Sequence, residues 1–212
     1  MHVAVFGATG SLGHECVKQS LESGHKVSVL ARAPEKLPEA WLSRVRVVEG
    51  DALEEANVEA ALSEGVEAVL FAIGVDRHSP EDLCTTVTRH LIATMPRMGV
   101  HRLVWCGGGS TLVPEDRVTI GARFVELFAR VFMGLRHRDK AHQWDLLRRH
   151  REIDWVGVRP LQMRRGAKRA DYRLGFEAFS GFSHISFADC AHAMLGMLES
   201  DTWLHKAPVI QY

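Results

Sequence analysis

The sequence lacks long apolar runs, which argues against a membrane-spanning protein. Although 46% of its 212 residues are hydrophobic, no uninterrupted apolar stretch reaches the roughly 18 residues that a membrane-spanning helix needs. The first residues also lack the basic-then-apolar pattern of a secretion signal. We therefore expect no membrane partner, and we predict a cytoplasmic location.

Cysteine is scarce, and neither cysteine nor histidine shows metal-ligand spacing. The four cysteines form no C-x-x-C pair, and in a cytoplasm they should be reduced thiols. The 12 histidines include no H-E-x-x-H sequence, which would place two ligands on one helix face. We predict no metal.

An excess of charge of either sign is absent as well. Lysine plus arginine and aspartate plus glutamate both number 26, so a general nucleic-acid-binding protein is not expected. The balance hides an asymmetry, because acids dominate Glu49 to Asp82 and bases dominate Arg136 to Arg173. We interpret most of this asymmetry as solvated faces.

What the chain does contain is a glycine-rich turn near its start. Residues 2–6 are short, apolar and rich in β-branched side chains, as in a buried strand, and apolar residues at helical spacing follow the turn at 7–13. Without a Cβ atom, Gly7 and Gly10 let the backbone approach a pyrophosphate, and Gly13 lets helix and strand pack closely. The helix N-terminus would then face the phosphates. The alternative is a turn with nothing bound.

Strand-like and helix-like segments alternate after this turn. This rhythm is typical of βαβ units and a parallel sheet. We predict an α/β fold, a Rossmann-type doubly wound parallel sheet flanked by helices, as a single domain over residues 1–212. The further predicted strands are 26–30, 45–49, 68–74, 102–106 and 154–158.

The end of the second predicted strand bears on the choice of cofactor. A site selective for NAD usually places an acid there to hold the ribose 2′-hydroxyl. This chain has none, and Arg32 and Lys36 offer positive charge for a 2′-phosphate instead. We therefore predict a preference for NADP(H) over NAD(H), the alternative being that both are ordinary solvated cations.

Two more strand ends carry candidate cofactor contacts. Asp51 could meet the adenine while Ala52 lines its pocket, and Asp51 could also cap the helix predicted from residue 54 to 62. We include Ala72 among the cofactor contacts, and Gly74 would allow close approach of the cofactor ribose.

A helical stripe of apolar residues occupies residues 117–135. We expect a helix that covers the core, a lid over the substrate site or an oligomer contact in a monomer or homodimer. Glu126 and Arg130 are spaced to form an i, i+4 ion pair on its polar side. The apolar positions are Ile120, Phe124, Leu127, Phe128, Val131, Phe132 and Leu135.

Several of these motifs together resemble a known group of proteins. They are residues 7–13, Leu30-Ala31-Arg32, Glu49-Gly50-Asp51, Val158-Arg159-Pro160, 185–191 and the ending Gln211-Tyr212. The chain resembles the atypical short-chain dehydrogenase/reductase superfamily, in particular the NmrA-like NAD(P)H-binding proteins and their flavin reductase/biliverdin-IXβ reductase branch.

This resemblance implies a set of cofactor contacts. One group would hold the phosphates, riboses and adenine, and a second would lie near the nicotinamide carboxamide. The first comprises Gly7, Thr9, Gly10, Ser11, Leu12, Arg32, Lys36, Asp51, Ala52 and Gly74, and the second Pro160, Leu161 and Gln162.

The catalytic half departs from the family pattern. The usual serine position falls on Gly108, with Ser110 close enough to reach inward. The usual Tyr-x-x-x-Lys reads Arg136 to Lys140, so the lysine is kept and the tyrosine is lost. Lys140 shares a helix face with Trp144, and could either hold the nicotinamide ribose or extend its stem over apolar surface.

Loss of the tyrosine acid removes the usual proton source for alcohol and ketone chemistry. We therefore predict a reductase that transfers hydride to a small conjugated acceptor, flavin-, quinone- or tetrapyrrole-like, which supplies its own electron sink. Catalytic candidates are Lys140 and Ser110, and the substrate pocket should form from residues 106–140 and 160–186. The alternative is a non-catalytic NAD(P)-binding sensor of the NmrA type.

Overall fold

A computed structural model describes residues 1–76, 78–177 and 182–212, so residues 178–181 of the predicted pocket segment lie outside it. Its main sheet has eight strands in the order β3-β2-β1-β4-β5-β6-β10-β8. A small second sheet pairs β7 with β9. The strands are β1 (His2–Phe6), β2 (Lys26–Ala31), β3 (Val45–Glu49), β4 (Ala68–Phe71), β5 (Arg102–Cys106), β6 (Asp154–Pro160), β7 (Met163–Arg164), β8 (Arg173–Gly175), β9 (Ile185–Ser186) and β10 (Val209–Gln211).

The strand order creates a switch point in the middle of the sheet. The chain winds outward from β1 to β2 and β3, and then returns to place β4 on the other side of β1. The first six strands pair in parallel, and β10 pairs antiparallel with β8. Ligands bind at such switch points, outside the carboxyl ends of the strands. The predicted fold class is confirmed.

Helices cover both faces of the sheet and bury its strands. On one face α1 and α7 pack together, with Cys16, Val17 and Met194 fully buried. On the other, α3, α4 and α6 bury Leu62 and Leu91 among the strands. The helices are α1 (Ser11–Glu22), α2 (Glu39–Leu42), α3 (Glu55–Leu62), α4 (Leu83–Thr94), α5 (Ile120–Phe132), α6 (Gly134–Leu147) and α7 (Phe187–Gly196).

Two predicted boundaries are wrong in informative ways. The fourth strand ends at Phe71 rather than at Gly74, so the last three residues of the apolar run form a loop over the site. The helix predicted over 117–135 is shorter, because the Thr119 side chain caps its start by accepting from the Ala122 amide at 3.2 Å. It ends before Gly134, a poor helix former that begins α6.

Candidate functional site

The glycine turn between β1 and α1 has the geometry of a phosphate cradle. Gly7 has a φ of +91°, and a Cβ there would lie 2.8 Å from the Ala72 carbonyl. A Cβ on Gly13 would lie 2.0 Å from the Gly7 oxygen, so helix and strand approach at a distance that only glycine allows. No side chain caps the start of α1 at Gly10, which leaves its first amides available to an anion. These residues fit a dinucleotide pyrophosphate.

A cavity of about 770 Å³ opens beside this turn, at the carboxyl ends of β1, β4, β5 and β6. Its walls are mostly apolar, with a few polar groups converging on the interior, as in sites for small molecules. The lining comes from the start of α1, the loops after β4, β5 and β6, and one side of α5 and α6. Predicted site residues in this lining are Gly10, Ser11, Leu12, Ala72, Gly74, Ser110, Lys140, Pro160, Leu161 and Gln162.

The remaining predicted cofactor contacts lie outside the cavity. Arg32 and Asp51 stand at the tips of neighbouring strands, where the Arg32 guanidinium is 3.7 Å from the Asp51 carboxylate. The Arg32 side chain is 66% exposed, and Lys36 is exposed nearby in the chain. Arg32 therefore lies at the strand end that normally selects the cofactor, but it has a carboxylate partner.

Asp51 does not cap helix α3, as one of its predicted roles required. Its Oδ1 accepts from the Leu53 amide at 3.0 Å, whereas Glu54 occupies the cap position without a side-chain cap bond. The Asp51 side chain therefore stabilises the loop after β3, and its second oxygen, Oδ2, is the one that faces Arg32. Gly7, Thr9 and Ala52 likewise do not line the cavity, and lie at the turn and at the loop after β3.

Lys140 extends inward across the strand ends. Its Nζ donates to the carbonyl oxygens of Cys106 at 3.0 Å and Ile73 at 3.4 Å, and to Gln143 Oε1 at 3.3 Å. It also lies 5.5 Å from the centroid of the Phe71 ring. The ammonium group is thus held against the loops after β4 and β5, on the wall of the cavity.

Asp139, beside Lys140, secures helix α6 and was missed from the sequence. Its buried carboxylate accepts from the backbone amides of Cys84 at 2.8 Å and Thr85 at 2.9 Å, and from the Thr85 hydroxyl at 2.7 Å. These amides belong to the first turn of α4, where the N-cap residue, Asp82, makes no side-chain cap hydrogen bond. Asp139 thereby fixes the depth at which α6 presents Lys140.

A serine–histidine pair lines the cavity together with Lys140. Ser110 Oγ lies 3.2 Å from His137 Nδ1, and both residues line the wall. Burial lowers the pKa of His137, and nearby Arg130 lowers it further while Glu126 opposes the shift. The sequence signal for this pair was the position of His137, directly after the residue that replaces the family tyrosine.

Gly108 leaves room next to these groups. The atoms nearest to a Cβ there would belong to the Lys140 and Thr111 side chains, at 3.8 Å or more, which is ordinary contact. The family serine could therefore be accommodated, and its absence widens the cavity between Lys140 and Ser110.

Helix α5 does not cover the core with its apolar stripe. Phe124 and Phe128 line the cavity mouth yet are 67% and 58% exposed. The helix buries mainly Ala122 and Ala129 against the body. Of the three predicted roles, core cover is wrong, and a lid or a contact surface remains.

The family model described as NAD(P)H-binding matches residues 7–201. The chain belongs to this NAD(P)H-binding family. The match begins at the first glycine of the cradle. Because the family is described as NAD(P)H-binding, the predicted kind of cofactor, a nicotinamide dinucleotide, is confirmed.

The individual relatives and solved structures share at most 37% of their residues with this chain over the matched regions reported next. A 3-diazoavenalumate denitrifying reductase from a Streptomyces species is 37% identical over 115 residues, covering 49% of this chain and 36% of that enzyme. A candidate exported protein from Burkholderia pseudomallei is 26% identical over the full length of both chains, with a TM-score of 0.79. A candidate NADH-flavin reductase from Streptococcus pneumoniae TIGR4 is 22% identical, with a TM-score of 0.76 and coverage of 100% and 99%.

Three further features bear on the predictions for metals, membranes and cysteines. Among residues 1–76, 78–177 and 182–212, no group of three or more His, Cys, Asp or Glu side chains is arranged to hold a metal ion. Within the same residues, no helix is both long and apolar enough to cross a bilayer. All four cysteines are buried, free thiols.

Proposed function

We propose that this member of the NAD(P)H-binding family is an NADPH-dependent reductase of a small conjugated acceptor, flavin-, quinone- or tetrapyrrole-like. The observation that carries the proposal is the cavity itself. Its lining combines residues of the glycine cradle, a mostly apolar wall, and the polar side chains of Lys140, Ser110 and His137. The names of relatives, a denitrifying reductase and a candidate NADH-flavin reductase, support the reaction class.

The first step is to hold the cofactor along the strand ends. In this proposal the amides at the start of α1 bind the pyrophosphate and Arg32 the 2′-phosphate, while Lys140 donates to the ribose beside the nicotinamide. Pro160 and Leu161 would support the carboxamide end. The reduced nicotinamide supplies hydride when bound.

The acceptor would occupy the apolar half of the cavity. Phe124, Phe128 and Met133 offer flat or adaptable apolar surface there, and the missing side chain at Gly108 leaves space for a planar ring. An apolar wall also excludes water, which strengthens the few polar contacts inside.

Ser110 and His137 would supply the proton that a tyrosine supplies in the family pattern. Protonated His137 donates through the Ser110 hydroxyl to the acceptor as hydride arrives, becomes neutral, and regains a proton from solvent. Because burial lowers the pKa of His137, its protonated form is a stronger acid than an exposed histidine. Turnover that depends on this proton should fall as the pH rises through that lowered pKa.

A screen of NADPH oxidation with free flavin and with water-soluble quinones tests the function. We expect turnover with at least one acceptor, and His137→Gln should reduce it about a hundredfold while leaving NADPH binding unchanged. Tight NADPH binding without turnover of any acceptor would overturn the proposed reductase activity and favour a non-catalytic NAD(P)-binding sensor. The replacement of the family tyrosine by Arg136 is also consistent with such a sensor.

The cofactor preference is tested at Arg32. Fluorescence titration should show tighter binding of NADPH than of NADH, and Arg32→Ala should narrow the gap by ~2 kcal/mol, the value of a hydrogen bond between charged groups. Arg44→Ala, an exposed arginine at the opposite end of β3, is the matched control and should change nothing. Equal affinity for both cofactors in the unmodified protein would contradict the NADPH preference.

A further inference from the structure

Helix α5 turns its large apolar side chains to the solvent. Successive residues are 100° apart around a helix, which puts the six exposed apolar side chains of α5 within one arc of about 140°. The opposite side of the helix presents Ala122 and Ala129 to the body. The exposed side chains are Ile120 (77%), Phe124 (67%), Leu127 (57%), Phe128 (58%), Val131 (64%) and Phe132 (72%). An apolar surface of this kind marks a site of interaction.

Arginines line this surface. Arg123 and Arg130 project from one edge of the apolar arc, and Arg136 and Arg138 follow at the start of α6; all four are exposed. In the part of the chain that the structure describes, none of the four makes an ion pair. The neighbouring acid Glu126 is half-buried and does not form the predicted pair with Arg130. The surface is therefore apolar, with arginines along one edge of α5 and at the start of α6.

The apolar face is continuous with the mouth of the cavity. Phe124 and Phe128 belong to both, and Met133 extends the cavity wall at the end of the helix. A molecule held against α5 would lie next to the entrance of the site, whereas Leu127 and Val131 belong to the outer face alone.

We propose that α5 docks this protein on the surface of an anionic bilayer, with the mouth of the cavity turned toward the lipid. A helix with an aromatic, apolar face and basic flanks lies in the plane of the membrane interface, its apolar side chains among the acyl chains and its cations at the phosphates. The sequence analysis predicted no membrane partner because the chain lacks a segment that could span a bilayer. Docking on the surface of a bilayer does not require such a segment.

Charge complementarity favours a bilayer over a second copy of the chain. Two copies of this face would place four arginines, Arg123 and Arg130 of each copy, along the contact, and Glu126 is the one acid of α5 that could offset them. Lipid phosphates compensate every arginine at once. If the proposed reductase function holds, on which this consequence rests, the acceptor is a lipid-soluble conjugated molecule of the quinone class that enters from the bilayer.

Vesicle flotation of the full chain tests the docking. We expect binding to vesicles of equal phosphatidylglycerol and phosphatidylcholine, and at least tenfold weaker binding to phosphatidylcholine alone. The double variant Leu127→Glu/Val131→Glu should abolish binding, whereas Leu42→Glu, which alters an apolar residue 50% exposed on α2, should not. Arg123→Gln and Arg130→Gln should each weaken binding about fivefold.

The same samples separate this proposal from the proposed function. NADPH oxidation with a water-soluble quinone should be unchanged in Leu127→Glu/Val131→Glu, because neither residue lines the cavity. No binding to anionic vesicles, or equal binding by the double variant, would overturn the docking while leaving the reductase intact. A dimer in sedimentation experiments that the double variant dissociates, without vesicle binding, would assign the face to a second copy.

Discussion

At the scale of single residues, the site depends on where one ammonium group is held. Lys140 Nζ donates to the carbonyl oxygens of Ile73, in the loop after β4, and Cys106, at the end of β5, and to Gln143. Sequence reasoning left two alternatives, an inward lysine and a stem lying over apolar surface, and the structure has the side chain inward. Binding of the cofactor ribose by Lys140 is still a prediction. A ribose hydroxyl would have to share the ammonium group with its three present acceptors or replace one of them.

Lys140→Met tests that role. Methionine keeps the volume and the apolar character of the stem, so the fold should tolerate it. NADPH binding should weaken by ~2 kcal/mol, the contribution of a hydrogen bond that involves a charged group, as measured by fluorescence titration. Lys26→Met, at the exposed amino end of β2, is the control. Unchanged affinity together with an unchanged melting temperature would show that Lys140 does not contact the cofactor.

At the scale of elements, one buried ion pair anchors the loop that leads from β5 to α5. The Arg159 side chain is fully buried at the end of β6, and it lies 2.5 Å from the carboxylate of Asp116. The arginine also donates to the carbonyl oxygens of Thr111 and Ala207, and Asp116 accepts from the Val113 amide at 2.8 Å. The wall that carries Ser110 is therefore fastened to the sheet.

Asp116→Ala should destabilise the protein strongly. It leaves the guanidinium of Arg159 buried without a counter-charge, which costs about 3–5 kcal/mol. Chemical denaturation should show this loss as a lower midpoint. Asp201→Ala removes a carboxylate that is 73% exposed from its pair with Arg102, and should cost at most about 1 kcal/mol. Equal effects of the two variants would mean that the buried pair contributes no more than a surface pair.

At the scale of the whole molecule, folding stability should depend on pH through His2 and the partly buried His137. His2 is 8% exposed; its Nδ1 lies 3.2 Å from the Glu64 carbonyl oxygen and its Nε2 2.8 Å from Ser28 Oγ. The first contact suits an Nδ1–H donor and the second an Nε2 acceptor, so both are satisfied by a neutral ring. Burial is the main reason that the pKa of His2 is lowered, and the pKa of His137 is lowered for the same reason.

A lowered histidine pKa means that the unfolded chain binds protons more readily than the folded one. The stability that this difference contributes is present above the ordinary histidine pKa, and is lost as the pH falls from there to the lowered value. The free energy of unfolding should therefore drop as the pH falls below about 6.5, the ordinary histidine pKa, and His2→Gln should reduce the drop. The same pH slope in both proteins would show that His2 does not contribute to it.

The fold class, the nucleotide cradle and the family are predictable from the amino-acid sequence alone. These depend on local requirements: Gly7 needs a positive φ, Gly13 lies against the Gly7 carbonyl, and apolar runs mark strands covered on both faces. Such requirements restrict the residue types at neighbouring positions in the sequence, so they can be recognised without the structure.

The direction in which the apolar side of α5 faces, and the groups that meet in the cavity, depend on long-range packing. Periodicity gives a helix an apolar side but does not say what lies against it, and the body of this protein meets α5 at Ala122 and Ala129 instead. Ser110 and His137 are 27 residues apart, and Asp139 and Cys84 are 55 apart. Contacts between such distant residues arise when the sheet brings the loops of β4, β5 and β6 to one edge, and no local pattern records them.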